Sequence, residues 1–460
     1  MELFNLLDVG INLWGQTYDI YLNWIGKIIR WLIESVGNVG LGIILFSVIL
    51  KVIVLPFDVY QRITMRKQNV QMKENQDKMA KLQKQYANNK DLYNQKVMEM
   101  YKENGFSMFS SCLPMILSLV IFFVAIGAFN AYAQYASVDT YNDMVKAYNA
   151  KLEAYCPDLD NYTSTVDGNN VIVKGNDADD YIYYTVVVPT EGEATKEYIE
   201  AAAKSYYVDT NKLYASEHKT GVDEILSQKN EDGSAKYDVE KACQLYMISL
   251  AQDAVVEKYE DSVSEKTKFL WIKNIWMTDA SYKHPVSNYT DFESGAKQEE
   301  FDVNGKKVDY TDVETDVYSS SAYEIVTAKL DQQKKTANGY YVLILLSVGT
   351  ILLQQWISMR SQKEQSQFST VDGQGAQQQK MMMIMMTVMF AFFSFMYSAA
   401  FSIYMIMSNL MSLASTLIIN KAVDVALEKK EEKAMQEKYN QRFPGRVYKG
   451  GTDKDDKKKK

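Results

Sequence analysis

The sequence predicts an all-α polytopic membrane protein: five transmembrane helices, an N-terminal interfacial amphipathic helix and a cytoplasmic helical hairpin, plus a mixed α+β extracytoplasmic insertion. Three observations lead there. From Met381 to Ile419 the chain has no Asp, Glu, Lys, Arg or His; as one helix at ~1.5 Å per residue this run would be about twice the ~30 Å hydrocarbon thickness, so it must break into two spans. Three further stretches, Val39–Phe57, Leu113–Phe129 and Tyr340–Ile357, are long and apolar enough to span, with Lys51 as the one charge among them. The charges also segregate. Residues 132–339 hold 21 Lys and 38 acids with no Arg, whereas 58–105, 358–380 and 421–460 together hold 26 Lys and Arg against 16 acids.

Each element has its own signal. In the N-terminal segment, 1–38, Tyr21, Trp24, Ile25, Ile28, Trp31, Leu32 and Val36 recur at helical spacing on one face, with Asn23, Lys27, Arg30 and Glu34 on the other. That pattern describes a helix lying in the membrane interface, its Trp side chains at headgroup depth. The first span covers 39–57. Segment 58–105 is polar, lacks Pro, has no Gly before Gly105 and turns at Asn88-Asn89, which predicts a helical hairpin. Its first arm carries Val59, Ile63, Val70, Met79, Leu82 and Tyr86, too few for a heptad seam, so it should pack weakly on itself. After the second span, 106–131, comes a Tyr-rich domain at 132–339. It should contain a hairpin from Val171–Val173 to Tyr181–Val188 and helices near 139–155, 195–206 and 238–261. Cys156 and Cys243 in this domain leave open a disulfide or two thiols. The third span (340–357), a loop (358–380), the fourth span (381–397), a break at Tyr397-Ser398-Ala399-Ala400, the fifth span (401–420) and a basic tail (421–460) complete the chain.

The positive-inside rule places the Arg-bearing segments in the cytoplasm, giving the N-terminus out, the C-terminus in and 132–339 outside. No phosphate-binding, nucleophile-elbow, zinc-protease, CxxC or dinucleotide pattern is present, and His218 and His284 stand apart from any such pattern. An enzyme is not expected, and no metal or cofactor is. Ser47 lies one helical turn before Lys51, a weak signal for a Ser/Lys dyad. The Met run 381–386 has no His or Cys beside it and reads as pliable apolar surface. The basic tail offers phosphate attraction to anionic lipid or RNA, or is simply solvated.

Lys51 is the residue that does not fit a lipid-facing helix. A charge at that depth costs roughly 2.5–3.5 kcal/mol on insertion scales, so it should face the bundle interior or a hydrated cavity, or snorkel to the interface. The other spans offer Ser118, Gln354, Gln355 and Asn409 but no acid. An unpaired cation there suits transient docking of an acidic passing segment.

The motifs Val39-Gly40-Leu41-Gly42-Ile43-Ile44-Leu45, Lys51, Leu55-Pro56, Met65-Arg66-Lys67, Leu82-Gln83-Lys84-Gln85-Tyr86, Tyr101-Lys102-Glu103-Asn104-Gly105 and Cys112-Leu113-Pro114 come in that order. They continue with Phe269-Leu270-Trp271-Ile272-Lys273, Gln377-Gln378-Gln379-Lys380 and Tyr404-Met405-Ile406-Met407-Ser408-Asn409. Together they resemble the YidC/Oxa/Alb membrane protein insertases. The resemblance implies a groove among five helices that accepts the hydrophilic end of a substrate while its hydrophobic part slides into lipid. Lys51 would be the groove cation, where the family usually has Arg, and Gln355 a groove-lining residue. Ser118, Gln354 and Asn409 would complete the groove, and Tyr404 and Met405 a greasy face. The implied partners are nascent membrane proteins, the ribosome through the basic tail, a Sec translocon, the signal recognition particle pathway and membrane lipid, in a bacterial plasma (inner) membrane. Where the family usually has a short loop before the third span, this chain has a large insertion. The alternative is an ion channel or transporter with an acidic extracytoplasmic domain.

Overall fold

A computed structural model of the chain describes residues 17–103, 108–153, 162–167, 170–175, 183–187, 217–313, 316–361 and 374–442. The expected helix at 195–206, Cys156 and the end of the tail lie outside these residues. The fold is mostly helical, in two compact units. One comprises Met1–Gly40, Ala128–Tyr341 and Tyr397–Ala400, the other Leu41–Gly127, Val342–Met396 and Phe401–Lys460.

In the first unit, helix α1 (Trp24–Val36) starts at Asn23, whose side chain accepts from the Gly26 N–H, and stops at Gly37 in the left-handed conformation. It buries Gly26, Ile29, Leu32 and Ile33. Trp24, Ile28 and Trp31, at i, i+4 and i+7, form an exposed apolar stripe. Arg30 pairs with Glu34 at 2.8 Å and lies 4.6 Å from the centre of the Tyr135 ring.

The helix that contains the expected second span, α4 (Met108–Glu153), does not stop there. The separate helix expected at 139–155 is its continuation, because neither Gly nor Pro occurs between Ala128 and Glu153 to end it. Tyr141, Val145, Tyr148 and Leu152 follow at helical spacing and are all buried. Tyr141 packs against Phe292, Tyr318 and Tyr323 and donates to the Val317 carbonyl at 2.7 Å. Burial pushes the Tyr318 hydroxyl up to about 12. It therefore stays protonated as a donor near Tyr18 and Asn142 while it accepts the Tyr18 N–H at 2.6 Å.

Strands β1 (Asp19–Ile20), β5 (Phe301–Val303) and β6 (Lys306–Val308) form one antiparallel sheet. Strands β2 (Tyr162–Asp167), β3 (Asn170–Gly175) and β4 (Tyr183–Val187) form the other. The β3–β4 pairing realises the expected hairpin. The helix expected near 238–261 runs Val239–Lys258, capped by Asp238, and passes into a π-helical turn at Tyr259–Val263. Cys243 is buried.

The segment from Phe269 to Ala280 positions the starts of three helices. The Phe269 ring lies against Gly40, where any side chain would overlap it. The Asp279 carbonyl accepts the Tyr341 N–H at 3.0 Å, just before the helix Val342–Ser361. The Ile275 and Met277 carbonyls accept the N–H groups of Ala400 and Ala399, the first residues of the helix Ala399–Arg442. Those N–H groups have no partner inside their own helix, so this is backbone capping. Asn338, fully buried, holds the segment: its side chain accepts from the Asn274 N–H at 2.7 Å and donates to the Asn274 and Thr278 carbonyls at 2.8 and 3.0 Å. Replacing it by alanine removes the partner of the Asn274 N–H and of the Thr278 carbonyl, while the Asn274 carbonyl keeps the Met277 N–H at 3.2 Å, at a cost of about 1–3 kcal/mol for each group that stays dry and unpaired. Asn338→Ala should therefore lower the thermal midpoint in detergent and speed amide exchange across 269–280; unchanged exchange there would contradict this role.

In the second unit, α2 (Val39–Gln85) runs without a break from the first apolar stretch into the polar segment, with Pro56 inside it. After a turn, α3 (Lys90–Glu103) returns, and the Asn89 side chain caps it by accepting from the Leu92 N–H. Two helices joined by a turn thus occupy the segment where a hairpin is expected, and Asn75, Met79 and Met100 are buried. The helices Gln374–Met396 and Ala399–Arg442 are separated by Tyr397 and Ser398, within the break expected from the sequence.

Among the described residues, four helices are long and apolar enough to cross a membrane: Val39–Thr64, Val120–Leu152, Val342–Arg360 and Ala399–Ala426. The helix Gln374–Met396, which holds the expected fourth span, contributes a shorter apolar stretch among the described residues, Met383–Met396.

Candidate substrate groove

Lys51 sits midway along the apolar part of α2, and its ammonium lies 2.7 Å from Asp58, with the two side chains 12% and 23% exposed. The expectation of an unpaired cation is thus corrected. Asp58 reads in the sequence as the first residue of the cytoplasmic segment, yet on a continuous helix i and i+7 share a face. Closing 2.7 Å across seven residues requires the long lysine stem to extend along the helix toward Asp58, against the usual lean, while the aspartate leans back toward the N-terminus. Ser47, one turn earlier, is buried and donates to the Ile43 carbonyl at 2.7 Å, so its hydroxyl is engaged away from a catalytic dyad.

The remaining polar groups recur seven residues apart on three helices: Ser347 and Gln354, Thr387 and Ser394, Ser402 and Asn409. Seven residues is nearly two turns, so each pair marks one face. Thr387 donates to Gln355 at 2.6 Å, Ser347 and Ser394 are hydrogen-bonded at 2.9 Å, and Asn409 donates to Thr350 at 3.5 Å. Gln354 and Gln355 are half-buried, and Asn409 is buried. These bonds satisfy polar groups that would be costly in lipid. The structure thus brings Gln355 and Asn409 into a polar seam that also contains Thr350, Thr387, Ser347 and Ser394, residues that reading Lys51 alone overlooks. Among the described residues no hydrogen bond or ion pair joins Lys51 to that seam. Ser118 lies in α4, and its side chain is outside the described ones.

Tyr404 and Met405, expected on a greasy face, are both buried. The Tyr404 ring packs with Phe46 and Phe401 at 6.4 and 6.1 Å. Exposed apolar side chains of the same helix are Leu410, Leu417 and Ile418. Phe122 gathers Phe390, Phe393 and Phe401 around it. Toward the polar end, Arg62 and Arg66, one turn apart, face Asp424 at 3.6 and 3.9 Å. No group of His, Cys, Asp and Glu able to hold a metal occurs among the described residues.

Residues 31–174 and 254–428 match the family described as 60Kd inner membrane protein, leaving out 175–253 inside the large insertion. A protein of Caldanaerobacter subterraneus subsp. tengcongensis named membrane protein insertase YidC is 31% identical over 114 residues, 25% of this chain and 53% of its own. One of the same name from Fusobacterium nucleatum is 30% identical over 117 residues, 25% of this chain and 55% of its own. A third, from Francisella philomiragia, is 35% identical over 123 residues, 26% of this chain and 21% of its own. The matched stretch thus spans about half the length of the first two relatives and about a fifth of the third. No solved structure matches. With the family match extending over more than half of its length, and with several apolar helices, this chain is a bacterial membrane protein that belongs to the 60Kd inner membrane protein family, the family of the YidC insertases.

Proposed function

We propose that this protein is a membrane insertase and chaperone that moves hydrophobic segments of nascent proteins into the bilayer. The carrying observation is a half-buried cation, Lys51, on an apolar helix of a unit whose other helices present a seam of neutral polar groups. Such a surface can solvate a hydrophilic segment in transit without holding it. In this reading Lys51, Gln354, Gln355 and Asn409 line the groove, with Ser118 assigned to it from the sequence alone. The exposed apolar faces at Leu345, Leu352, Leu353, Leu417 and Ile418 offer the hydrophobic segment a path into lipid. Asp58 holds Lys51 between substrates, and an acidic substrate segment competes for the same ammonium. In this reading the chain has five spans, its N-terminus out and its C-terminus in, and it works alone or with a Sec translocon, receiving chains from ribosomes with or without the signal recognition particle pathway. A photoreactive residue placed at Gln354 tests this: it should crosslink to ribosome-bound nascent membrane proteins and not to nascent soluble ones. Equal labelling of both would refute the groove.

The Lys51–Asp58 pair itself favours a second reading, an ion-coupled transporter or channel, since charged pairs within spans often mark ion paths. Ion flux through reconstituted vesicles separates the two.

The basic tail has an assignable role within the first reading. Deleting 445–460 should weaken ribosome co-sedimentation at low salt, with the difference vanishing as salt rises, because only phosphate attraction is lost. Unchanged co-sedimentation at low salt would leave the tail a solvated end.

A further inference from the structure

The backbone at Leu270 has φ of 54°, a left-handed conformation that a branched apolar residue rarely adopts. It lies in a tight turn closed on both sides by backbone hydrogen bonds between Phe269 and Ile272. The turn places Leu270, 67% exposed, and Trp271, 38% exposed, side by side at its tip, while Ile272, Ile275 and Trp276 beside them are buried. A turn that only had to reverse the chain would carry Gly or Asn at this position and polar residues at its tip. The tip belongs to the same segment whose residues hold Gly40, Tyr341 and Ala399 at the starts of three apolar helices. In the membrane reading of the helices those starts mark the boundary of the hydrocarbon, and the segment that carries the tip is bonded to two of them. Exposed aromatics gather there too: Tyr340 precedes the helix Val342–Ser361, and Tyr282 lies 6.4 Å from the Tyr341 ring.

We infer that the Leu270-Trp271 tip is a lipid-binding element that inserts into the interface of the extracytoplasmic leaflet. It acts as a second anchor beside the Trp24–Ile28–Trp31 stripe of α1. Lipid is the favoured occupant because the exposed pair combines an aliphatic side chain with an indole, the pairing suited to the boundary of headgroups and acyl chains. One of the helix starts that the segment holds also exposes apolar side chains, Tyr340 and Val342. The inference rests on the membrane reading of the helices and is independent of insertase activity.

The test uses the full chain with Cys112, Cys156 and Cys243 replaced, carrying Leu270→Cys labelled with an environment-sensitive fluorophore. It is reconstituted in vesicles of phosphatidylethanolamine and phosphatidylglycerol. Glu231→Cys, on an exposed turn, serves as the aqueous reference. Quenching of the Leu270 label by iodide should be about fivefold weaker than at Glu231, and a nitroxide attached near the lipid ester groups should quench it more than one near the acyl ends. Iodide quenching equal to that at Glu231 would overturn the inference, as would shielding from both iodide and nitroxide, which would mean that protein covers the tip. If the labelled variant does not reconstitute, wild-type protein and Trp271→Phe are compared in brominated lipid. Loss of part of the lipid-quenched tryptophan signal in the variant supports insertion, and an unchanged lipid-quenched signal overturns it.

Discussion

Lys51→Glu is expected to abolish insertion of substrates whose translocated segment is acidic, while Lys51→Arg retains it. In the variant, two carboxylates stand where an ion pair of 2.7 Å now lies, and the site repels the segment it should capture. A single charge contact near 4 Å at an effective dielectric of about 20 is worth up to roughly 4 kcal/mol, so losses of tenfold or more are expected. Arginine keeps charge and reach, although its planar fork bonds differently. Asp58→Asn separates capture from structure. It frees the ammonium, so acidic substrates should insert at least as well as with the wild-type chain. If Asp58→Asn is as damaging as Lys51→Glu, the pair serves to hold the helix and not to receive substrate. A lysine that only snorkels to the interface would give small losses that do not depend on substrate charge. The measurement is insertion of one substrate series differing only in tail acidity, at matched protein levels.

The second large effect is expected at Gly40. A side chain there would overlap the Phe269 ring, and overpacking of this kind costs about 1–3 kcal/mol, more when the neighbours are held. Phe269 is held: its backbone pairs with Ile272, and Asn338 fixes Asn274 beyond it. Gly40→Val should therefore unfold at markedly lower temperature than the wild-type chain. Phe269→Ala makes room, so Gly40→Val combined with Phe269→Ala should be more stable than the sum of the single effects predicts, by about 1 kcal/mol or more. Additive losses would show that the ring and the glycine do not share the space.

The parts of this fold that follow from local chemistry can be read from the sequence. The break before Ala399 follows from the length of an uncharged run, α1 from its spacing and its caps, and the β3–β4 hairpin from alternating apolar residues. The extent of α4 could not be read, because a change from apolar to polar composition looks like a helix end when nothing in the chain stops the helix. Asp58 stands at the change from apolar to polar composition, so composition assigns it to the cytoplasmic side, although its spacing from Lys51 puts both on one helix face. The polar seam was partly visible, as Gln354, Gln355 and Asn409; the seven-residue recurrence that brings in Ser347, Thr387 and Ser394 was also there to be found. The capping of Ala399 and Ala400 by the Ile275 and Met277 carbonyls has no sequence signature, since backbone groups of any residue can make those bonds. For the same reason the Phe269–Ala280 segment is a motif in the sequence but a clamp only in three dimensions.

Insertase function is tested most directly by reconstituting the purified full chain alone in liposomes and adding a small, newly synthesised membrane protein. Protease-protected, correctly oriented substrate should increase with the amount of reconstituted protein and fall at least tenfold with Lys51→Glu when the substrate tail is acidic. Absence of protected substrate in vesicles that hold folded protein and pass ions would contradict the insertase reading and favour the transporter.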